Sequence, residues 1–150
     1  GGPESHNHGV PTMDLTTLKT YEPPPHRYTP EYAGNREEET PFVVLHRPLI
    51  RAYQLEVLEI QARLEGQRPE DDAGPQALRA YALEADRALA EYHRRVLQAH
   101  LVGVEGLTSE GRSLELDEFV AACLEMPALV TELIAAVRDA GSVTEAEAGN

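Results

Sequence analysis

Residues 101–119 read LVGVEGLTSEGRSLELDEF. The flanking sequence is rich in Leu, Val and Ala and repeats at helical spacing, yet Gly103, Gly106 and Gly111 fall inside this stretch. Glycine costs a helix about 1 kcal/mol relative to alanine and admits backbone conformations closed to other residues. A helical chain therefore stops here, turns on its glycines, and starts again. The expectation is that the C-terminal helical pair folds back across the helices that precede the turn.

Upstream of the turn, two helices are legible. The first is expected to begin at Pro48, because proline suits the first helical position. Leu49, Tyr53, Val57, Ile60 and Leu64 then recur three or four residues apart, and Gly66 ends the helix. Residues 66–75 are a polar linker. The second helix is expected from Pro75 to about Val102, with Leu78, Tyr81, Ala82, Ala85, Leu89, Tyr92, Val96 and Leu97 as its stripe. Downstream, residues 116–126 read as a short helix carrying Phe119, Val120, Cys123 and Leu124. Pro127 breaks it and opens a last helix, whose apolar set is Leu129, Val130, Leu133, Ile134 and Val137. Gly141 is placed to terminate that helix, and Thr144 and Glu147 have capping-box spacing beyond it.

The N-terminal part reads differently. Residues 1–12 have no periodicity, and a natural start at Met13 after an added leader is the simplest account. Residues 16–22, TTLKTYE, are β-branched and aromatic enough for a short strand. Pro23, Pro24 and Pro25 then impose an extended path, so residues 13–40 are expected to form an extended or flexible arm. The run PFVVLHRPL from Pro41 is a second strand, expected to pair with residues 16–22 and to pack on helices. The fold class that follows is mainly α: a bundle of about four helices with a short N-terminal β element, α+β at most. Residues 41–141 form the helical domain and residues 142–150 an acidic tail.

Composition narrows the function. The formal charge of -13 argues against sequence-independent nucleic-acid binding, which needs clustered Lys and Arg. It suits basic protein surfaces, which an acidic chain finds quickly. Cys123 is the only cysteine, so the chain holds no internal disulfide and no cysteine-based zinc site. No apolar run is long enough for a bilayer, and a cytoplasmic setting in a bacterium is expected.

Catalytic patterns are not found. Ser5, Ser109, Ser113 and Ser142 lie in no nucleophile-elbow pattern. His93 and His100 are seven residues apart, two turns on one helix, too far to share a metal directly, and His46 approaches them only through the fold. The runs Glu37 to Glu39 and Glu70 to Asp72 lack calcium-loop spacing and read as solvated loops. The chain is therefore expected to be no enzyme, with no cofactor and no metal.

Leu101-Val102-Gly103, Glu110-Gly111, Met126-Pro127 and the Thr144 to Asn150 terminus, together with Arg47-Pro48-Leu49 after a strand, resemble phage tail assembly chaperones of siphovirus type. The likeness of pattern covers most of residues 41–150, and departs from the family at Val104, where an aromatic is expected. The resemblance implies a non-catalytic protein that binds the tape-measure protein, keeps its helices soluble and assists tail-tube assembly. An amphipathic helix laid in a groove is a recurrent way to do this. Leu129, Leu133, Ile134 and Val137 are the candidate partner-binding residues, with a tape-measure or tail-tube protein as partner, no nucleic acid, no membrane, and self-association allowed. The alternative is an acidic phage or bacterial regulator that binds a basic surface of a host enzyme, with strongly salt-sensitive binding.

Overall fold

The computed structural model describes residues 12–149, with side chains through residue 141. The expectation of a leader at residues 1–12 lies almost wholly outside the described residues. The fold is mixed α+β, with six helical segments and small antiparallel sheets among the described residues. It has more helices than the four expected, and the strands sit in the middle of the chain as well as near its start.

The chain opens with α1 (Leu15–Thr20) and β1 (His26–Tyr28). A 3-10 turn (Tyr32–Glu37) leads to β2 (Val43–His46). Helices α2 (Arg51–Gly66) and α3 (Pro75–His100) follow as an antiparallel hairpin. The glycine stretch then forms β3 (Leu101–Glu105) and a small hairpin, β4 (Thr108–Ser109) and β5 (Arg112–Ser113). Helices α4 (Leu116–Cys123) and α5 (Pro127–Gly149) complete the order.

Several expectations are corrected. Residues 16–22 are mostly helix α1, not a strand. The strand that pairs with β2 is β1, with His26 opposite His46 and Tyr28 opposite Val44. β-Branched propensity lost because nothing pairs with residues 16–22, whereas residues 26–28 leave the prolines already extended. The first long helix begins at Arg51, three residues after Pro48, because Leu49 N–H bonds to the Val137 carbonyl at 3.2 Å and Ile50 is the cap. Gly141 does not end α5. It is buried within it, and a Cβ there would lie 3.2 Å from Leu49 N. Its missing side chain lets the β2–α2 connection pass against the helix. Thr144 and Glu147 belong to the same continuous helix.

The glycine stretch does turn the chain, but it does so by building a sheet. β3 pairs antiparallel with β2, Val44 opposite Val104, so β2 is the central strand of β1-β2-β3. Gly106 has φ +79°, and a Cβ there would meet Phe42 Cα and the Pro41 carbonyl at 3.4 Å. Glu110 and Gly111 both have positive φ, as a tight two-residue hairpin turn requires. A capping box of Glu115 and Glu118 then starts α4.

The core gathers Val44, Ile60, Leu64, Tyr92, Val96, Leu97, Leu101, Phe119, Val120, Cys123, Leu129, Leu133 and Val137. Two tyrosines of α3 tie it to α2: Tyr81 Oη donates to the Leu64 carbonyl at 2.8 Å, and Tyr92 Oη to that of Tyr53 at 2.7 Å. The folded body begins well before Pro41. Glu132 on α5 accepts hydrogen bonds from Tyr28 Oη at 2.6 Å, Glu31 N at 2.6 Å and Tyr32 N at 3.1 Å. Asn35 is buried and bridges Pro30 and Phe42 through their backbones. Residues 26–46 are thus a strap held on the helices, and just before it the Pro23 carbonyl accepts from the Arg47 guanidinium.

Candidate functional site

Helices α2 and α5 both pack on α3 but flank it on different sides, and a groove opens between them. Its floor is Leu89, His93 and Val96 of α3, spaced four and three residues apart. Val57 and Gln61 of α2 form one wall, Ile134 and Arg138 of α5 the other, and Leu49 also lines it. This cleft has a volume of about 250 Å³. It adjoins a second cleft of about 370 Å³, which shares Leu89 and His93 and continues along Asp86, Ala90, Leu124, Pro127, Val130 and Thr131. The floor and both walls follow helical spacing because all three are helix faces.

Of the four partner-binding residues expected on α5, the structure places three in the core. Leu129, Leu133 and Val137 are at most 2% exposed. They face α3 because a four-residue apolar repeat on α5 must be covered, and α3 is the surface it meets. Ile134 lies a quarter-turn aside, half-buried, and lines the groove. Of the apolar set on this helix, Ile134 therefore lines the cleft, beside Arg138, while Leu129, Leu133 and Val137 are sealed in the core. Sequence spacing could not separate Ile134 from Leu133, because adjacent apolar residues fit the same stripe.

The histidines divide. His100 is fully buried, with Nδ1 donating to the Val96 carbonyl at 2.7 Å and Nε2 accepting from Ile50 N at 3.0 Å. Both ring nitrogens are occupied, so His100 is a neutral structural group. His93 sits in the groove, and burial lowers its pKa. His46 is buried beneath His26, their rings stacked 5.5 Å apart, and burial again lowers its pKa. His26 shows no sequence signal for this stack; only the β1–β2 register creates it. His93 and Asp86 share one cleft. Among the described residues no group of three His, Cys, Asp or Glu side chains is placed to hold a metal ion. Burial pushes the Cys123 thiol up to about 11, which keeps it protonated and unreactive at neutral pH.

Glu38 and Glu39 rim a shallow hollow with Tyr32, Phe42 and Leu107. The run from Glu70 to Asp72 lies exposed at the α2–α3 turn. Among the described residues no single helix is long and apolar enough to cross a membrane. The bent pair α4 and α5 passes a test of length and composition, but its Phe119, Val120, Cys123, Leu129 and Leu133 are core residues. No family model, no curated protein and no solved structure matches the chain.

Proposed function

We propose that this protein is a non-catalytic helix-binding chaperone of the siphovirus tail-assembly type, which holds an amphipathic helix of the tape-measure protein in the groove along α3. The observation that carries the reading is a pair of adjoining, mostly apolar clefts along α3, one walled by α2 and α5, the other by the start of α5 and Leu124 before it. A fourth helix laid there covers Leu89, Ile134, Val130 and Val57 and completes a bundle. The sequence pattern shared with tail assembly chaperones supplies the partner class. The net charge of -13 favours the alternative, an acidic regulator of a basic host enzyme.

Capture of partners from a lysate at low and high salt separates the two. A long, helix-rich protein retained at high salt supports the chaperone, and its loss on Ile134→Asp places it in the groove. A basic enzyme released by salt supports the regulator, since exposed charges are screened within about 10 Å at 0.1 M salt.

A further inference from the structure

Three histidines meet at one end of the β1-β2-β3 sheet. His26 of β1 stands directly opposite His46 of β2, and their rings stack 5.5 Å apart at an interplanar angle of 19°. His46 is 3% exposed and His100 is fully buried. The Arg47 N–H donates to the His100 carbonyl at 2.8 Å, which holds the end of α3 against the end of β2.

The titratable and charged groups around His46 are bases. β1 brings His26, α3 brings His100, and Arg47 follows on its own strand. β3 brings the apolar Leu101, and α2 sets the Tyr53 ring against His100. The carboxylates at either end of this region pair with arginines: Glu22 lies 3.9 Å from Arg47, and Glu105 lies 2.8 Å from Arg27. The His46 Nδ1–H donates to the Arg47 carbonyl at 3.1 Å, so an acid proton goes to Nε2. The ring is then a buried cation facing other histidines, and like charges directly opposite each other destabilise a sheet. Burial lowers the pKa of His46, the bond to the Arg47 carbonyl opposes this, and the charges of His26 and His100 lower it further. The closed strap therefore binds fewer protons than an opened one. Its closure is complete above pH about 6.5 and is lost as pH falls through the depressed value.

The two ends of β1 are held unequally. At its far end Glu132 accepts from Tyr28 Oη, Glu31 N and Tyr32 N, and the Arg36 guanidinium lies over the Tyr28 ring. Before His26, Arg47 holds the Pro23 carbonyl and Glu22, and α1 buries no residue. Exposed ion pairs such as Arg47 with Glu22 and Arg27 with Glu105 contribute little. β1 itself is three residues long.

We propose that His26 and His46 are an acid-sensitive latch: protonating the stacked pair peels β1 from β2 and frees the chain before Tyr28, while Glu132 stops the opening there. The helical core stays folded, so the opening is local. Histidine is the side chain whose ordinary titration falls in this range.

Amide and histidine-ring NMR signals of the full chain, followed from pH 7.5 to pH 5, test this. The amides of residues 26–28 are expected to lose their strand shifts while those of α3 and α5 keep theirs. His26→Phe leaves a flat ring on His46 without the charge, at the exposed edge of the sheet. It is expected to move the release to lower pH by about half a unit or more, from the repulsion of two charges at this separation. His46→Phe is expected to keep the strap closed throughout. The proposal is overturned if β1 keeps its strand shifts after both rings have taken their protons, or if β1 and α3 lose their shifts at one midpoint. A release that His26→Phe leaves at the same pH overturns it too.

Discussion

His100 Nε2 accepts the backbone N–H of Ile50 at 3.0 Å, so the last turn of α3 caps the residue that opens α2. The ring is buried against the edge of Tyr53, 5.0 Å between centroids, and near enough to His46 for their charges to repel. Protonating Nε2 breaks the bond to Ile50 and places a charge in the core. Burial accordingly lowers the pKa of His100 below 6.5, and does the same to His46 and His93. The unfolded chain then binds more protons than the folded one, so stability rises with pH. The contribution is whole above pH about 6.5 and is lost as pH falls through the depressed folded values. The urea midpoint is expected to drop between pH 7.5 and pH 5, and a His100→Gln variant to show a shallower drop. A midpoint independent of pH over that range contradicts this.

Removing His100 also has a cost at neutral pH. His100→Ala leaves the Ile50 N–H without its partner and opens a hole under Tyr53. One orphaned buried group costs about 1–3 kcal/mol, which chemical denaturation at pH 7.5 reads directly.

Glu132 is the anchor of the N-terminal strap. Burial, then the hydrogen bond to the Glu132 carboxylate, pushes the Tyr28 phenol up to about 12. In Glu132→Gln the negative charge is gone, and the Tyr28 phenol is expected to titrate nearer 10, seen by ultraviolet absorbance of the tyrosinate. Hydrogen bonds to charged groups contribute about 1.5–3 kcal/mol each, so Glu132→Ala is expected to lose a few kcal/mol and to make residues 26–40 sensitive to protease. A strap equally protected in both variants means that Glu132 does not hold it.

Two glycines in helices separate close approach from simple flexibility. Gly141→Ala drives a methyl to 3.2 Å from Leu49 N and 3.4 Å from its carbonyl oxygen, both backbone atoms. It is expected to destabilise by about 1–3 kcal/mol, the usual cost of overpacking. Gly66 has nothing within 4 Å of an added Cβ. Gly66→Ala is expected to stabilise by about 0.5–1 kcal/mol through the unfolded state. Thermal melts of the two variants should move in opposite directions.

Neighbours on α5 should part company in the same way. Leu133→Ala empties a fully buried site and is expected to cost about 2–5 kcal/mol. Ile134→Ala removes a half-buried groove wall and should cost much less, while weakening the proposed helix binding. If Ile134→Ala unfolds the protein as readily as Leu133→Ala, the groove is not an open surface.

The bodies of the helices were legible because their cause is local, although Pro48 and Gly141 did not mark their ends. The three-and-four spacing of Tyr53, Val57, Ile60 and Leu64, Pro75 and Pro127 at helix starts, and Gly66 at an end all act within a turn or two of chain. The run from Phe42 to Leu45 was legible as a strand for the same reason. Its partners were not. β1 and β3 are brought to β2 by long-range packing, and residues 16–20 became helix because no strand lay beside them.

The sequence alone determined that this is a helical, acidic chain interrupted by glycines, with a lone cysteine in an apolar run. Hydropathy and backbone freedom are properties of each residue and its near neighbours, and they survive without a fold. Only the tertiary structure decided which apolar residues are core and which are surface. Leu133 and Ile134 differ by one position and have nearly the same hydrophobicity, yet one is sealed against α3 and the other lines a groove. That distinction depends on where α2 and α5 sit on α3, and their placement is set by contacts between residues far apart in the chain.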